Sequence, residues 1–281
     1  MSLKVLILGA GYGTRLQRDI LNDTSQKYSH LLGVPKALLP LGGKDSLIAH
    51  WLDILIESNI DIKSSLYIVT NSPSYSSFIS WAKTHNIPTT NIVNDGSTLN
   101  ENRLGAVEDV LFAIKHFSSY LENSNLLIIG GDTLYLKDFN FNKLYEKFIT
   151  INSTDEACLV TTYQVDDKVV HKFGILELDE GNKVIGFLEK PSPQSTTSRY
   201  ACPCFYFLHK NSLKLLQKFL IESKNNSNHT IEDRDATGKF LSWVINNKKF
   251  EFFAEKVQGR IDVGGLQSYL DAKRYFGDQD I

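Results

Sequence analysis

Three glycines spaced two apart close an apolar run near the start of the chain: Val5-Leu6-Ile7-Leu8 leads into Gly9-Ala10-Gly11-Tyr12-Gly13-Thr14-Arg15. Four consecutive apolar residues suit a strand buried on both faces, the kind found in the parallel sheets of α/β proteins. Gly9, Gly11 and Gly13 then let the backbone turn tightly and present N–H groups to an anion. Arg15 adds a planar cation able to grip phosphate through two parallel hydrogen bonds, and Lys36, in Pro35-Lys36-Ala37-Leu38-Leu39-Pro40, adds a compact charge tied to a rigid proline. No Gly-Lys-Ser/Thr follows, so this is not a Walker loop, and the third glycine comes too early for G-x-G-x-x-G. Taken alone, the turn fits either an ordinary strand-to-helix connection or a phosphate cradle.

Composition narrows the function classes. The 281 residues hold enough length for one large α/β domain or two small ones, with 42% hydrophobic and 22% charged residues. A net charge of -2 argues against a broad nucleic-acid footprint, which needs a basic face. No apolar segment approaches the roughly 18 residues of a membrane span, and Val5 to Leu8 is too short for a signal-peptide core. Three cysteines, Cys158, Cys202 and Cys204, make no disulfide framework and point to a reducing cytoplasm. Cys202-Pro203-Cys204 lies in a strand-like run without a second cysteine pair, so it reads as packing rather than a metal site.

Along the chain, Ser46 to Ile60 places Leu47, Ile48, Trp51, Leu52, Leu55 and Ile56 at helical spacing, with Asp45 or Ser46 as cap. Leu66 to Thr70 reads as a buried strand, Ser74 to His85 as a helix and the region of Ile92 as a short strand, the alternation of a doubly wound sheet. Trp51 and Trp81 fall on apolar helix faces and read as core. After the Asn94-Asp95-Gly96 turn and a polar loop comes a helix from Leu104 to Phe117. Gly105 in its first turn serves either close helix packing or the approach of a flat ligand. Leu126 to Ile129 is an apolar strand ending at Gly130-Gly131-Asp132. Ligands of open α/β sheets bind at such strand ends. Asp132 there is either a turn former or a carboxylate for Mg²⁺.

From Ala157 the pattern shifts to strands with tight turns. Ala157 to Tyr163, Phe173 to Leu178 and Lys183 to Glu189 are expected as strands, the last two joined through Asp179-Glu180-Gly181-Asn182, with Gly174 opening the middle one. Glu189-Lys190-Pro191 ends the third, where an acceptor beside a donor is either solvated surface or a contact for a sugar hydroxyl beside a phosphate. A strand over Tyr200 to Leu208, a helix over Ser212 to Glu222, a flexible Ser/Asn link over 223 to 228, a helix over Gly238 to Ile245 and a strand over Phe250 to Phe253 follow. Asp262 in Gly259-Arg260-Ile261-Asp262-Val263-Gly264-Gly265 precedes a final helix, Leu266 to Phe276. No repeat of about 20 to 50 residues appears.

Taken together, the glycine turn, Pro35-Lys36-x-Leu-Leu-Pro, Gly130-Gly131-Asp132, Glu189-Lys190-Pro191 and Asp262-x-Gly, in that order, resemble the sugar-1-phosphate nucleotidyltransferases (nucleotide-sugar pyrophosphorylases). The pattern is similar to that of enzymes of the glucose-1-phosphate thymidylyltransferase and uridylyltransferase type. The resemblance implies the nucleotide-diphospho-sugar transferase fold: a Rossmann-like mixed, mostly parallel central sheet flanked by helices. On that pattern one domain spans 1–281, with a nucleotide-binding half (1–150) and a sugar-phosphate-binding half (151–281). It also implies Mg²⁺-dependent attack of a sugar 1-phosphate on the α-phosphate of UTP, dTTP or CTP, giving a nucleotide sugar and pyrophosphate. Gly9, Gly11, Gly13 and Gly105 would then bind nucleotide, with Gly105 at the base, and Arg15, Lys36 and Asp132 would be catalytic. Asp132 and Asp262 would hold the metal, Gly174 and Glu189 would meet the sugar, and Lys190 its phosphate. Neither nucleic acid nor membrane is an expected partner, and a homo-oligomer is compatible with the pattern.

The chain departs from the family pattern at Ala10, in a long Arg15 to Pro35 stretch, at Cys204 and at Val263-Gly264-Gly265. Two other classes stay open: an inactive nucleotide-sugar-binding regulatory protein, and a cytidylyltransferase acting on a non-sugar phosphate such as phosphocholine. The latter needs an aromatic cage, for which Tyr200, Phe205 and Tyr206 are candidates. A dehydrogenase fits less well, since no acidic residue stands about 20 residues beyond the glycine turn at a strand end.

Overall fold

The structure, a computed structural model, describes residues 3–225 and 230–278. Its strands are β1 (Leu3–Gly9), β2 (Leu66–Thr70), β3 (Ile92–Asn94), β4 (Asn125–Gly130), β5 (Thr133–Tyr135), β6 (Ala157–Gln164), β7 (Gly174–Leu178), β8 (Val184–Glu189), β9 (Tyr200–Cys202), β10 (Phe205–Leu208), β11 (Glu251–Lys256) and β12 (Arg260–Asp262). The chain forms two compact units, each assembled from separate segments. One holds Ile7–Arg103, Gly130–Tyr135 and the segment from Arg260 onward; the other holds the segment up to Leu6, Leu104–Ile129 and Leu136–Gly259.

The first unit carries the glycine turn. Strand β2 is buried at every position, as its unbroken apolar run requires, and pairs in parallel with β3 through Ile68 and Ile92. The helix Ser72–Thr84 starts at Asn71, whose side chain accepts a hydrogen bond from Ser74 N at 2.9 Å. The same side chain donates to Ala10 O at 2.8 Å, tying the helix start to the glycine turn. Trp51 and Trp81 are buried, as expected, and both indole N–H groups are satisfied, by Thr133 O at 2.9 Å and Ser46 Oγ at 2.7 Å. That second bond corrects one expectation. The helix spans Ala49–Glu57, and neither Ser46 nor Asp45 caps it: the Ser46 hydroxyl is committed to Trp81, and Asp45 to His85 at 2.8 Å.

The second unit carries the later strands. Their order is β4-β10-β6-β9-β7-β8, with β11 alongside β6. All these neighbours run antiparallel except β11 and β6, so the sheet is mixed, as expected, but in this unit it is mostly antiparallel rather than mostly parallel, because short connections such as the β7–β8 turn leave no room for the crossover a parallel pair needs. In the β7–β8 turn, Asp179 Oδ1 accepts from Gly181 N and Lys183 N, and Asn182 takes a positive φ of 60°. The single strand expected over Tyr200 to Leu208 is two, β9 and β10. Pro203 has no N–H to give a ladder, and Phe205 N turns back to Pro203 O at 2.8 Å. The helix expected over Ser212 to Glu222 spans Lys214–Lys224, after a 3₁₀ turn at Lys210–Ser212. Of the flexible Ser/Asn link expected over 223 to 228, residues 223 and 224 instead close this helix, and 226–228 lie outside the described residues. Phe207, fully buried, packs on Phe141, Phe148 and Phe205. Among the described residues no helix is long and apolar enough to cross a membrane.

Candidate active site

In the first unit the apolar run of β1 stops at Gly9, and the chain turns through Gly11 into a helix over Thr14–Leu21. Gly13 is the residue before that helix, with φ 59° and ψ 25°, a left-handed conformation that glycine adopts without steric cost. No side chain caps the helix, and its first turn holds no acidic residue but does hold the exposed Arg15. Free N–H groups at a helix start beside a guanidinium form an anion site.

Lys36 opens a short 3₁₀ turn behind Pro35, and its alkyl stem runs along Gly13, where a side chain would begin 3.4 Å from Lys36 Cγ. The long stretch between Arg15 and Pro35 is folded back by Gln17, which accepts from Gly33 N at 2.8 Å and donates to Val34 O at 3.4 Å. Gln17 thereby fixes the segment that delivers Lys36.

Asp132 leaves the end of β4 through Gly131, whose N–H donates to Leu8 O at 3.0 Å. Its carboxylate Oδ2 stands 3.4 Å from Lys36 Nζ. Asp262 is brought to the same place by the antiparallel pairing of β5 with β12, which sets it opposite Thr133, while Val263 N donates to Asp132 O at 3.0 Å. Although 44% of the Asp262 side chain is exposed, protein packed around the carboxyl pushes its pKa up, Asp132 adds to the rise, and Arg260, Lys36 and Arg15 oppose it. The Oδ1 atom is held by Arg260 Nη1 at 3.1 Å, and the same guanidinium donates to Thr133 Oγ1 at 3.1 Å. Above Gly264 the Arg15 Nη1 and Asp262 Oδ2 atoms approach one point, at 3.2 and 3.6 Å from where a side chain would begin. Gly9, Gly11, Gly13, Arg15, Lys36, Asp132 and Asp262 thus lie together in one unit.

Two neighbouring carboxylates, one of them raised in pKa partly by the other, fit a divalent cation, which would offset that repulsion. Mg²⁺ takes one or two protein carboxylates and fills its remaining positions with water and phosphate oxygens. No group of three or more His, Cys, Asp or Glu side chains able to hold a metal occurs among the described residues, and such a cage is not needed here.

The other expected residues lie in the second unit. Gly105 is not inside its helix but immediately before it, with the helix spanning Ala106–His116 and Gly105 at φ 96°. A side chain there would begin 3.0 Å from Arg234 O and 3.1 Å from Asp235 Cα, so the chain's own backbone packs against it. Arg234 is anchored by Glu108, which also pairs with Lys224 at 2.9 Å. Gly174 and Glu189 face each other across the β7–β8 ladder, and Lys190 follows with a positive φ of 48° while its N–H donates to Phe173 O. Glu189 Oε1 is 3.9 Å from Lys190 Nζ. The Glu189 side chain is only 12% exposed, and that burial raises its pKa against the pull of Lys190 and Lys239.

Several residues here were not singled out from sequence. Arg260 sits two positions before Asp262 in a strand, hence on the same face, a period-2 signal that could have found it. Gly238, in the first turn of the helix Thr237–Asn246, packs against Glu189 and Phe187, and a glycine at a helix start was a signal that could have found it. Gln17 and Arg234 carry no such signal.

A family model described as nucleotidyl transferase matches residues 4–279. The small subunit of glucose-1-phosphate adenylyltransferase from Triticum aestivum is 30% identical over 201 residues, covering 66% of this chain and 37% of the wheat protein. Glucose-1-phosphate adenylyltransferase from Shewanella frigidimarina is 31% identical over 160 residues, 52% of this chain and 35% of that protein. The chain therefore spans a little over a third of these relatives' length. A Bacillus anthracis protein solved in complex with a sucrose, and provisionally named a glucose-1-phosphate thymidylyltransferase, superposes with a TM-score of 0.68 at 19% identity, over 100% of this chain and 97% of that one. At that identity the likeness is one of fold.

Proposed function

The chain belongs to the nucleotidyl transferase family, and from that premise we propose that it condenses a nucleoside triphosphate with a sugar 1-phosphate. A phosphate oxygen of the sugar 1-phosphate attacks the α-phosphorus, the bond to the bridging oxygen of the β-phosphate breaks, and pyrophosphate leaves with that electron pair. The Gly11 and Gly13 turn, the helix start and Arg15 take the triphosphate. Lys36 offsets the charge that grows around the α-phosphorus. Asp132 and Asp262 would hold Mg²⁺, which would supply charge to offset that of the phosphate oxygens. Glu189 accepts hydrogen bonds from sugar hydroxyls and Lys190 pairs with the sugar's phosphate. Such a transfer needs positioning and electrostatic stabilisation more than proton movement.

The observation that carries this reading is the gathering of Lys36, Asp132, Asp262 and Arg15 beside the glycine turn. Retention of all four charged groups supports an active enzyme over an inactive binding protein. The phosphocholine reading needs free aromatic faces around a trimethylammonium group. Phe205 and Tyr206 are buried, and Lys256 Nζ covers the Tyr200 ring at 4.8 Å, which supports the sugar. A cytoplasmic enzyme fits the three free cysteines. Incubation of the pure protein and Mg²⁺ with UTP, dTTP or CTP, each paired with a panel of sugar 1-phosphates and with phosphocholine, tests it. Pyrophosphate release with a sugar phosphate is expected; release with phosphocholine alone would favour the other substrate.

A further inference from the structure

Building on the reading of Glu189 as the sugar contact, the geometry points to Gly238 as a positioning residue that fixes where Glu189 places its carboxylate and so sets which sugar hydroxyls it accepts. Gly238 is the second residue of the helix Thr237–Asn246, where glycine is a poorer helix former than alanine. The space its missing side chain leaves is filled. A Cβ there would overlap Glu189 Oε2, lie 2.9 Å from Glu189 Cδ and 3.2 Å from Phe187 Cζ. On the other side, a Cβ at Gly174 would lie 3.1 Å from the same Oε2. The oxygen is thus walled between two glycines on different elements, and Oε1 is the one that faces Lys190.

Among the described residues no hydrogen bond reaches the Glu189 carboxylate, and the only cation within ion-pair reach is Lys190, at 3.9 Å. A largely buried carboxylate to which the protein itself donates no hydrogen bond leaves its acceptors open to the hydroxyls of a ligand. Behind it the buried Tyr206 hydroxyl is 3.0 Å from Thr237 Oγ1, and Thr237 also reaches Cys204 Sγ at 3.7 Å. The segment that packs Arg234 and Asp235 against Gly105 therefore continues directly into the wall behind Glu189.

Gly238→Ala is the test. The atom it displaces is the far end of a flexible side chain, so the fold survives while the carboxylate moves. The KM for the sugar 1-phosphate is expected to rise at least tenfold, with the KM for the triphosphate within twofold of wild type. In a Glu189→Ala background the same change is expected to alter the sugar-phosphate KM by less than twofold. Glu189→Ala/Gly238→Ala is expected to melt close to Glu189→Ala, since alanine favours the helix and the one close neighbour left to the methyl, Phe187 Cζ at 3.2 Å, need give by only a few tenths of an ångström. An unchanged sugar-phosphate KM in Gly238→Ala, or an equal loss in both backgrounds, overturns this inference while leaving the activity assignment standing. A wild-type protein that releases no pyrophosphate with any pair overturns the activity assignment itself, and a Gly238→Ala that fails to fold overturns this inference, because Gly238 then serves the fold rather than the placing of the carboxylate.

Discussion

Lys36 and Asp132, 96 positions apart in the chain, meet with ammonium and carboxylate 3.4 Å from each other. Asp132 arrives just past the end of the buried strand β4 and Lys36 at the start of a 3₁₀ turn behind Pro35, and neither is needed to fill the core. Both side chains keep contact with solvent, 19% and 38% exposed respectively. Their closeness is therefore better explained by a ligand that needs both charges than by stability, because partly exposed ion pairs contribute at most about 1 kcal/mol.

Lys36→Ala is accordingly expected to lower kcat by about 10²- to 10³-fold, the loss typical of removing one preorganised donor from a reacting centre. Its melting temperature should stay within about 3 °C of wild type. Thermal melting and steady-state assay of the same preparation check this, and a protein that unfolds on losing Lys36 would assign the residue a structural role.

Trp51 stands behind the site rather than in it. Its indole N–H donates to the carbonyl of Thr133, the neighbour of Asp132, and both residues are buried. Trp51→Phe removes that donor and leaves a gap, so a loss of roughly 1–3 kcal/mol is expected, a fall of about 2–8 °C in melting temperature. Calorimetry measures it; an unchanged transition would mean that Thr133 finds another donor.

How far the sequence foretold this arrangement differs between the units. The apolar runs of β1, β2 and β4 were legible because strands buried on both faces leave few alternatives, and the glycine turn, Lys36 and the final helix were placed from local pattern alone. Helix starts were less legible. Ser46 had the chemistry of a cap but was taken by Trp81, a tertiary partner that no local rule reveals. Pro203 should have divided the expected Tyr200 to Leu208 strand, since it cannot donate to a ladder. Gly105 and Gly238 act through the backbone or side chain that fills the space each leaves, so their roles depend on residues far along the chain.

The Glu189 carboxyl gives a pH signature. Burial raises its pKa above the ordinary glutamate value, so the folded chain holds this proton more tightly than the unfolded chain does. Its favourable contribution to stability is thus present below the ordinary pKa and lost as pH rises through the folded value. Glu189→Gln is expected to melt at or above wild type near neutral pH, with the gap closing on the acid side. The wild-type KM for sugar 1-phosphate should rise as pH falls through the raised pKa, because protonation removes an acceptor, while Glu189→Gln shows no such rise. A sugar-phosphate KM with the same acid limb in both proteins would remove Glu189 from the substrate contact.

The central claim is transfer of the nucleotidyl group itself, and labelled triphosphate tests it most directly. With Mg²⁺, a sugar 1-phosphate and triphosphate carrying ³²P at the α position, the label should appear in a nucleotide sugar, and with the γ position labelled it should appear in pyrophosphate. Asp132→Asn should abolish both. Label from the γ position in a sugar phosphate, or in free orthophosphate alone, would contradict the account.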